Sequence, residues 1–206
     1  MLPIIGWLAV SYVLGAFPTS YLVGRVAGGI DLRKRGSRNL GATNLYRVLG
    51  WKLAIPVALF DVAKSALPVV VLGPRVPDIV LFPVYCGIAA VVGHVFSVFV
   101  GFKGGKGVAT AAGVMLGLAP WALLVAAGVW AVTVKLTGYV SLGSIMAAVL
   151  FPLAAELLHP RRVEPLWLDV LLAAFLVWMH RSNIQRLLNG TENRFGTRHR
   201  PAAPAA

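Results

Sequence analysis

The chain has 206 residues, of which 58% are hydrophobic and 13% are charged, and its mean hydropathy is +0.80. This composition excludes an ordinary soluble domain and indicates an all-α, polytopic membrane protein. The formal net charge of +12 would also suit nucleic-acid binding, but in so apolar a chain it is better explained by loop orientation, anionic lipid and anionic substrates, so we expect no nucleic-acid partner.

Apolar runs in chain order predict seven transmembrane helices. Their expected limits are 4–23, 53–72, 79–100, 108–119, 121–134, 145–158 and 166–179. The fourth is short because Pro120 interrupts residues 108–134, which would otherwise form one long tilted span. Seven spans of about 20 residues would use roughly 140 residues, so any site must be built from span ends and short loops. We expect one membrane domain over 1–200 and a disordered tail over 201–206.

The distribution of basic residues supports the count of seven. Residues 24–52, 101–107, 135–144 and 180–200 hold 7, 2, 1 and 5 Lys or Arg, 15 in all. The opposite face would hold only Arg75, Arg161 and Arg162. Because basic loops stay in the cytoplasm, we expect the N-terminus outside and the C-terminus in the cytoplasm.

A stretch rich in glycine and lysine, residues 101–110, joins two of the apolar runs. Glycine lets a backbone approach a ligand closely, successive N–H groups form anion-binding concavities, and the helix that follows adds a positive N-terminal end. We interpret the stretch as a phosphate cradle that uses Gly104, Gly105, Lys106, Gly107 and Thr110. The alternative is a tight polar loop whose lysines only obey the positive-inside rule.

A second polar segment, residues 36–47, combines hydroxyls, amides and arginine. Such groups can hold ester or phosphate oxygens, and Arg47 can pair bidentately with a phosphate. The candidates are Ser37, Asn39, Thr43, Asn44 and Arg47. The alternative, left open, is a turn followed by a helix with Thr43 as its N-cap.

Two further polar segments lie nearer the C-terminus. Residues 137–144 contain Ser141 and Ser144, and are predicted either to contact a ligand or to form a tight turn between spans. In the segment 180–192, helical spacing places His180 and Asn183 on the apolar face that should pack on the bundle. The alternative for this segment is a solvated basic helix.

Three candidate residues with ionisable side chains fall inside the second and third predicted spans. Asp61 and Lys64 are i,i+3 neighbours, and we expect an internal ion pair that orients the site, because unpaired charge in a bilayer is costly. His94 precedes the glycine stretch. We expect a packed, hydrogen-bonded histidine there rather than a catalyst.

Three segments together resemble the bacterial acyl-phosphate-dependent glycerol-3-phosphate acyltransferases of the PlsY type. They are 36–47, the run from Gly93-His94-Val95-Phe96 to Phe102–Thr110, and His180-Arg181-Ser182-Asn183-Ile184-Gln185-Arg186-Leu187. Ser97 stands where that family commonly has proline. The resemblance implies seven helices in the bacterial inner membrane, an active site facing the cytoplasm, and acyl transfer from acyl phosphate to the 1-hydroxyl of glycerol 3-phosphate. The products would be lysophosphatidic acid and inorganic phosphate, in the first acylation step of phospholipid synthesis.

The residues suit that chemistry. An acyl phosphate is already activated, so no covalent nucleophile, metal or cofactor is expected, and Cys86 in mid-span is unsuited to be a nucleophile. We expect His180 and Asn183 to orient the acceptor. The substrate's own phosphate, with a second pKa near 6, can serve as the base, and His180 is the alternative base. Arg47, Lys106, Ser37 and Ser144 are the expected donors to phosphate and oxyanion.

Other functional classes remain as alternatives. A transporter for an anionic metabolite would also aim broken helices at an anion, but its polar groups should lie at the midplane rather than at one face. A structural lipid-binding subunit would not need this set of His, Asn, Lys and Arg. Beyond the two substrates and membrane lipid, a soluble enzyme that forms acyl phosphate is a candidate partner.

Overall fold

A computed structural model describes residues 2–160 and 162–195, so the tail expected at 201–206 lies outside the described residues. Within the described ranges the chain is helical and has no strand. The helices are α1 Leu2–Ala16, α2 Thr19–Gly28, α3 Ala42–Leu49, α4 Trp51–Leu67, α5 Phe82–Val95, α6 Val108–Leu118, α7 Pro120–Thr137, α8 Val140–Leu158, α9 Leu166–Met179 and α10 Arg181–Leu188.

Among the described residues, five helical segments are long and apolar enough to cross a membrane. They cover 2–28, 51–75, 82–100, 120–137 and 140–158, and α6 and α9 are shorter apolar helices. The predicted all-helical, multi-span architecture is therefore confirmed in outline.

The first predicted span, 4–23, is not one continuous helix. α1 ends at Ala16 and α2 begins at Thr19, so the chain breaks at Phe17 and Pro18. Proline lacks an N–H group and disfavours helical backbone at the preceding residue, which explains a break that hydropathy cannot register.

The tight turn predicted within 137–144 is present but shorter than expected. Only Gly138 and Tyr139 separate α7 from α8, and Ser141 and Ser144 lie in the first turns of α8. The small residue Gly143 lets α8 press against Trp130 of α7, which is the close approach that glycine permits between membrane helices.

α1 and α5 pack with their backbones in contact. A Cβ on Gly15 would collide with the Ala90 carbonyl, and one on Gly93 with the Tyr12 carbonyl. The Ser97 hydroxyl, just beyond α5, donates to the Ala16 carbonyl at the end of α1. The end of α5 is thereby fixed beside the break at Phe17 and Pro18, and the glycine stretch begins from this anchored point.

The main apolar core lies among α5, α6, α7, α8 and α9. Its alanines allow close helix contact, while larger side chains fill the gaps between them. Its buried members include Val91, Val95, Val114, Met115, Ala122, Ala126, Ala148, Phe151, Ala155 and Leu176.

Candidate active site

A cavity of about 680 Å³ lies between α3, α4, α6, α7, α8 and α9. Most of the predicted site residues line it, although they come from distant parts of the sequence. These are Ser37, Asn39, Thr43, Asn44, Arg47, Asp61, His94, Lys106, Gly107, Ser141, Ser144, His180 and Asn183. Gly104, Gly105, Thr110 and Lys64 are not among the lining residues.

Glu192 joins three parts of the site. Its Oε1 accepts from the Asn183 amide at 2.7 Å and from the Ser141 hydroxyl at 2.8 Å, and its Oε2 accepts from Arg186 Nε at 2.7 Å. Burial raises its pKa, but these hydrogen bonds outweigh it and hold the pKa below the usual range. Glu192 is a functional residue that the sequence did not predict. The available signal was that it is the only acidic residue after Asp169 in a strongly basic tail.

Lys106 reaches from the glycine stretch to α10, where its Nζ donates to Asn183 Oδ1. Burial lowers the pKa of Lys106 to about 8, against the opposing attraction of Glu192. Asn183 is thus oriented from both sides, since its oxygen faces a cation and its amide nitrogen faces a carboxylate.

His180 follows α9 and is 3% exposed. Its Nδ1 lies 2.8 Å from the Leu176 carbonyl, which can only accept a hydrogen bond, so the neutral ring carries its proton on Nδ1. Burial, followed by the charge of Lys106, lowers the pKa of His180 to about 4. At pH 7 the ring is therefore neutral and Nε2 is an acceptor.

The first turn of α6 opens on the cavity. Gly107 caps the helix in the left-handed region at φ +87°, and no side chain caps the first N–H groups. Val108 and Ala109 of this turn line the cavity. A helix N-terminus without a side-chain cap, beside a lysine, is suited to hold an anion.

Gly104 and Gly105 have a different role from the one expected of them. Their N–H groups donate to the Val95 carbonyl at 2.9 Å and to the His94 carbonyl at 3.2 Å, so neither is available to a ligand. A Cβ on Gly104 would collide with the His94 carbonyl, and one on Gly105 with the His94 ring. These glycines let the stretch fold back against the end of α5.

Thr110 and Asn44 also act inside the protein. Thr110 is fully buried and donates to the Gly107 carbonyl at 2.9 Å. The amide of Asn44 accepts from the Ser37 N–H at 2.8 Å and donates to backbone carbonyls, including that of Asn39 at 3.0 Å. We therefore assign both residues to shaping the site rather than to ligand contact.

Thr43 is not the N-cap of α3. Gly41 occupies that position with extended backbone and no side-chain cap, and Thr43 lies inside the first turn. Its side chain remains on the cavity wall.

The expected internal pair of Asp61 and Lys64 is present. Lys64 Nζ lies 2.8 Å from Asp61 Oδ1, 2.7 Å from the Phe17 carbonyl and 3.2 Å from His94 Nδ1. These three partners use the three N–H bonds of the ammonium, so His94 accepts at Nδ1 and carries its proton on Nε2, the atom that faces Gly105. The pair thus supports the glycine stretch through His94.

Arg47 brings a guanidinium to the cavity from α3. One Nη donates to the Asn193 carbonyl at 3.4 Å, while the buried Nε has no partner in the described part of the chain. Burial lowers its pKa, and next to it Tyr46 stacks on Phe195 with ring centroids 4.6 Å apart. The residues after α10 thereby close over α3.

One end of the cavity holds cations, neutral His and Asn groups and a helix N-terminus. The rest of the cavity has mostly apolar walls. The sequence profile of the glycerol-3-phosphate acyltransferase family matches residues 5–190. The chain belongs to this family.

Curated glycerol-3-phosphate acyltransferases align over nearly their full length. The relative from Trichlorobacter lovleyi is 48% identical, over 92% of this chain and 96% of its own. The relative from Chlorobaculum parvum is 43% identical, over 96% of this chain and 100% of its own.

Crystal structures of PlsY, an integral membrane glycerol 3-phosphate acyltransferase, have the same fold. Its glycerol 3-phosphate form matches with a TM-score of 0.87 at 36% identity, over 94% of this chain and 96% of that one. Its lysophosphatidic acid form matches with a TM-score of 0.84 at 34% identity. This glycerol-3-phosphate acyltransferase is therefore of the PlsY type, as the resemblance implied.

Proposed function

We propose that this glycerol-3-phosphate acyltransferase uses acyl phosphate as its donor and acylates the 1-hydroxyl of glycerol 3-phosphate. The products are lysophosphatidic acid and inorganic phosphate. The observation that carries the proposal is a cavity whose polar end holds Lys106, Arg47 and the start of α6, while the rest of its wall is mostly apolar. Both substrates carry a phosphate for the first part, and the donor's acyl chain suits the second.

The acceptor is oriented by His180 and Asn183. Neutral His180 accepts a hydrogen bond from the 2-hydroxyl of the acceptor at Nε2, which leaves the proton of the 1-hydroxyl free for transfer, and Asn183 is held in place by Lys106 and Glu192. A histidine with a pKa of about 4 is a weak base, whereas a phosphate monoester has a second pKa of about 6. The phosphate of glycerol 3-phosphate is therefore the better proton acceptor.

In the transfer step, the hydroxyl oxygen bonds to the acyl carbon and the bond from that carbon to the phosphate oxygen breaks. The proton moves to the acceptor's phosphate, and inorganic phosphate leaves. Lys106, Arg47 and the α6 N-terminus stabilise the developing negative charge. Ser37 contributes a hydroxyl. Ser144 does not serve as a donor, because its proton is directed to the Val140 carbonyl at 2.9 Å.

The proposed topology adds α6 and α9 to the five longer spans, with the N-terminus outside and the site facing the cytoplasm of a bacterial inner membrane. The excess of basic residues in the loops of the site's face supports it. With 11 residues, α6 is about 16 Å long, roughly half of the hydrocarbon thickness. Its N-terminus is thus recessed, and a soluble enzyme that forms acyl phosphate would deliver the donor to this face.

The test is an acyl-transfer assay with purified protein and labelled glycerol 3-phosphate, comparing acyl phosphate, acyl-CoA and acyl carrier protein as donors. We expect lysophosphatidic acid from acyl phosphate, little from the other donors, and none when glycerol replaces glycerol 3-phosphate. Efficient transfer from acyl-CoA, or to glycerol, contradicts the proposal. The His180→Ala variant separates the two possible bases, because complete loss of turnover with intact substrate binding favours His180 over the phosphate.

A further inference from the structure

The apolar part of the cavity has a charged residue at its far end. Along α9, the residues on the cavity wall are Asp169, Leu172, Ala173 and Leu176, and His180 follows. This spacing is one face of a helix, so the wall runs from the reacting end at His180 to a carboxylate at the start of α9. Phe151 of α8 and Leu123 of α7 line the same apolar region.

Asp169 is held in place by the loop between α8 and α9. Arg162 of this loop pairs with Asp169 through one guanidinium nitrogen and with Glu156 of α8 through another at 3.1 Å. The side chains of Arg162 and Asp169 are each only 6% exposed. A buried pair with this bonding resists displacement, because an approaching alkyl chain would have to leave a buried charge unpaired.

The length of the wall matches that of a common acyl chain. From position 169 to position 180 a helix rises about 16 Å. A fully extended chain gains about 1.2 Å per backbone bond, because three bonds span roughly 3.5 Å per residue. About 14 carbon atoms therefore fit between the reacting end and the carboxylate.

We propose that the Arg162–Asp169 pair is the end wall of the acyl-chain site and sets the longest acyl chain that is fully accommodated. The inference rests on the proposed function, since it assigns the apolar part of the cavity to the acyl group of the donor. Wild-type enzyme prefers acyl chains of about 14–16 carbons and discriminates against chains of 18 or more.

The first test shortens the site. Ala173 lies one helical turn, about 6 Å, nearer to His180 than Asp169 does, so Ala173→Phe removes space for about four or five methylenes. Each methylene that no longer fits reduces binding about fourfold. In a competition of acyl phosphates of 10 to 18 carbons, read by mass spectrometry, the ratio of 10-carbon to 16-carbon product is expected to rise about tenfold or more.

The matched control is Leu171→Phe, which adds an aromatic ring to the exposed face of the same helix, where Leu171 is 57% exposed. Its product profile is expected to equal that of the wild type. Because each profile is a ratio within one reaction, it does not depend on how much of the variant is folded. Equal profiles for Ala173→Phe and Leu171→Phe overturn the inference.

The second test removes the end wall. A double variant, Arg162→Met with Asp169→Leu, replaces the ion pair by apolar side chains, a change that often leaves stability intact. The ratio of 18-carbon to 14-carbon product is expected to rise severalfold, and an unchanged ratio contradicts the role of the pair. A wrong donor assignment gives a different result from a wrong end wall. In that case, the wild-type enzyme would acylate glycerol 3-phosphate from another donor and would form no product from acyl phosphates of any length.

Discussion

At the scale of single residues, a chain this apolar makes its polar side chains informative. Hydroxyl, amide and cationic side chains suit phosphate groups, which is why the sequence predicts a site from residues far apart in the chain. The five residues predicted to be catalytic all line one cavity: Ser37, Arg47, Lys106, His180 and Asn183. What could not be predicted is which polar atoms the protein uses itself. The hydrogen bond between Ser141 and Glu192 depends on tertiary packing, because 51 residues separate the two. The bonds of Asn44 and Thr110 are local, but they depend on backbone conformations that residue type alone does not fix.

Lys106 is expected to impose an alkaline limit on activity. Burial holds its pKa near 8, below its ordinary value of 10.5, so its ammonium form is lost as the pH rises through about 8. We expect kcat/KM for glycerol 3-phosphate, which reports the free enzyme, to fall above that pH. In Lys106→Arg the guanidinium stays charged, and the limb should disappear even if the variant is slower.

The same residue gives a second readout. Lys106→Ala removes a charge-assisted contact worth roughly 1.5–3 kcal/mol, so kcat/KM at pH 7 should fall at least about tenfold. Two results would contradict the assignment of Lys106 to the phosphate site. One is the same loss of activity at alkaline pH in the wild type and in Lys106→Arg, and the other is wild-type kinetics in Lys106→Ala.

At the scale of elements, apolar runs predicted where helices lie better than where they break. The run at 166–179 has the limits of α9, because hydropathy and helix length agree there. The apolar runs did not predict the helix break at Phe17 and Pro18, or the start of α8 within 137–144. Hydropathy reports how well a segment suits lipid, and it does not report backbone geometry. Ser97 shows the same limit, since the hydroxyl that joins α5 to α1 has no signature in the sequence.

The fold of the glycine stretch makes a prediction about added methyl groups. Gly104→Ala and Gly105→Ala should each lower kcat/KM by about tenfold or more and lower the Tm, because the new Cβ collides with the backbone or ring of His94. Gly128→Ala in α7 is the control, since nothing lies within 4 Å of its added Cβ. It should keep full activity and gain up to about 1 kcal/mol of stability from helix propensity. The three variants are compared by activity assays and by thermal unfolding in detergent. Equal kcat/KM and Tm in all three would contradict the predicted collision with His94.

At the scale of the whole molecule, the sequence predicted a bundle with its polar motifs at one end, and the cavity that brings those motifs together agrees. The orientation stays a prediction: in the proposed seven-span topology, the site's face carries 15 of the 19 Lys and Arg. The dimensions of the cavity were beyond the sequence, because they depend on how six helices pack together.

The orientation is testable with single cysteines in a Cys86→Ala background. Cysteines at Ser37, Lys103 and Asn189 should react with an impermeant thiol reagent only from the cytoplasmic side. Lys103 is chosen over Gly105 because it is exposed and avoids the contact with His94. Asp78→Cys should react only from the outside. Any reversal among these four positions rejects the seven-span arrangement.

The bonds around the break between α1 and α2 constrain the order in which the protein matures during synthesis. The ammonium of Lys64 pairs with Asp61 on its own helix and donates to the Phe17 carbonyl in the break between α1 and α2, but its third partner, His94, is synthesised 30 residues later. The Ala16 carbonyl accepts from the hydroxyl of Ser97, which is synthesised later still. Until α5 and Ser97 are made, the Lys64 ammonium and the Ala16 carbonyl therefore each lack a partner that they have in the folded protein. Arrival of α5 and Ser97 supplies these partners, so a ribosome-bound chain halted before α5 lacks the bonds that fix its N-terminal half.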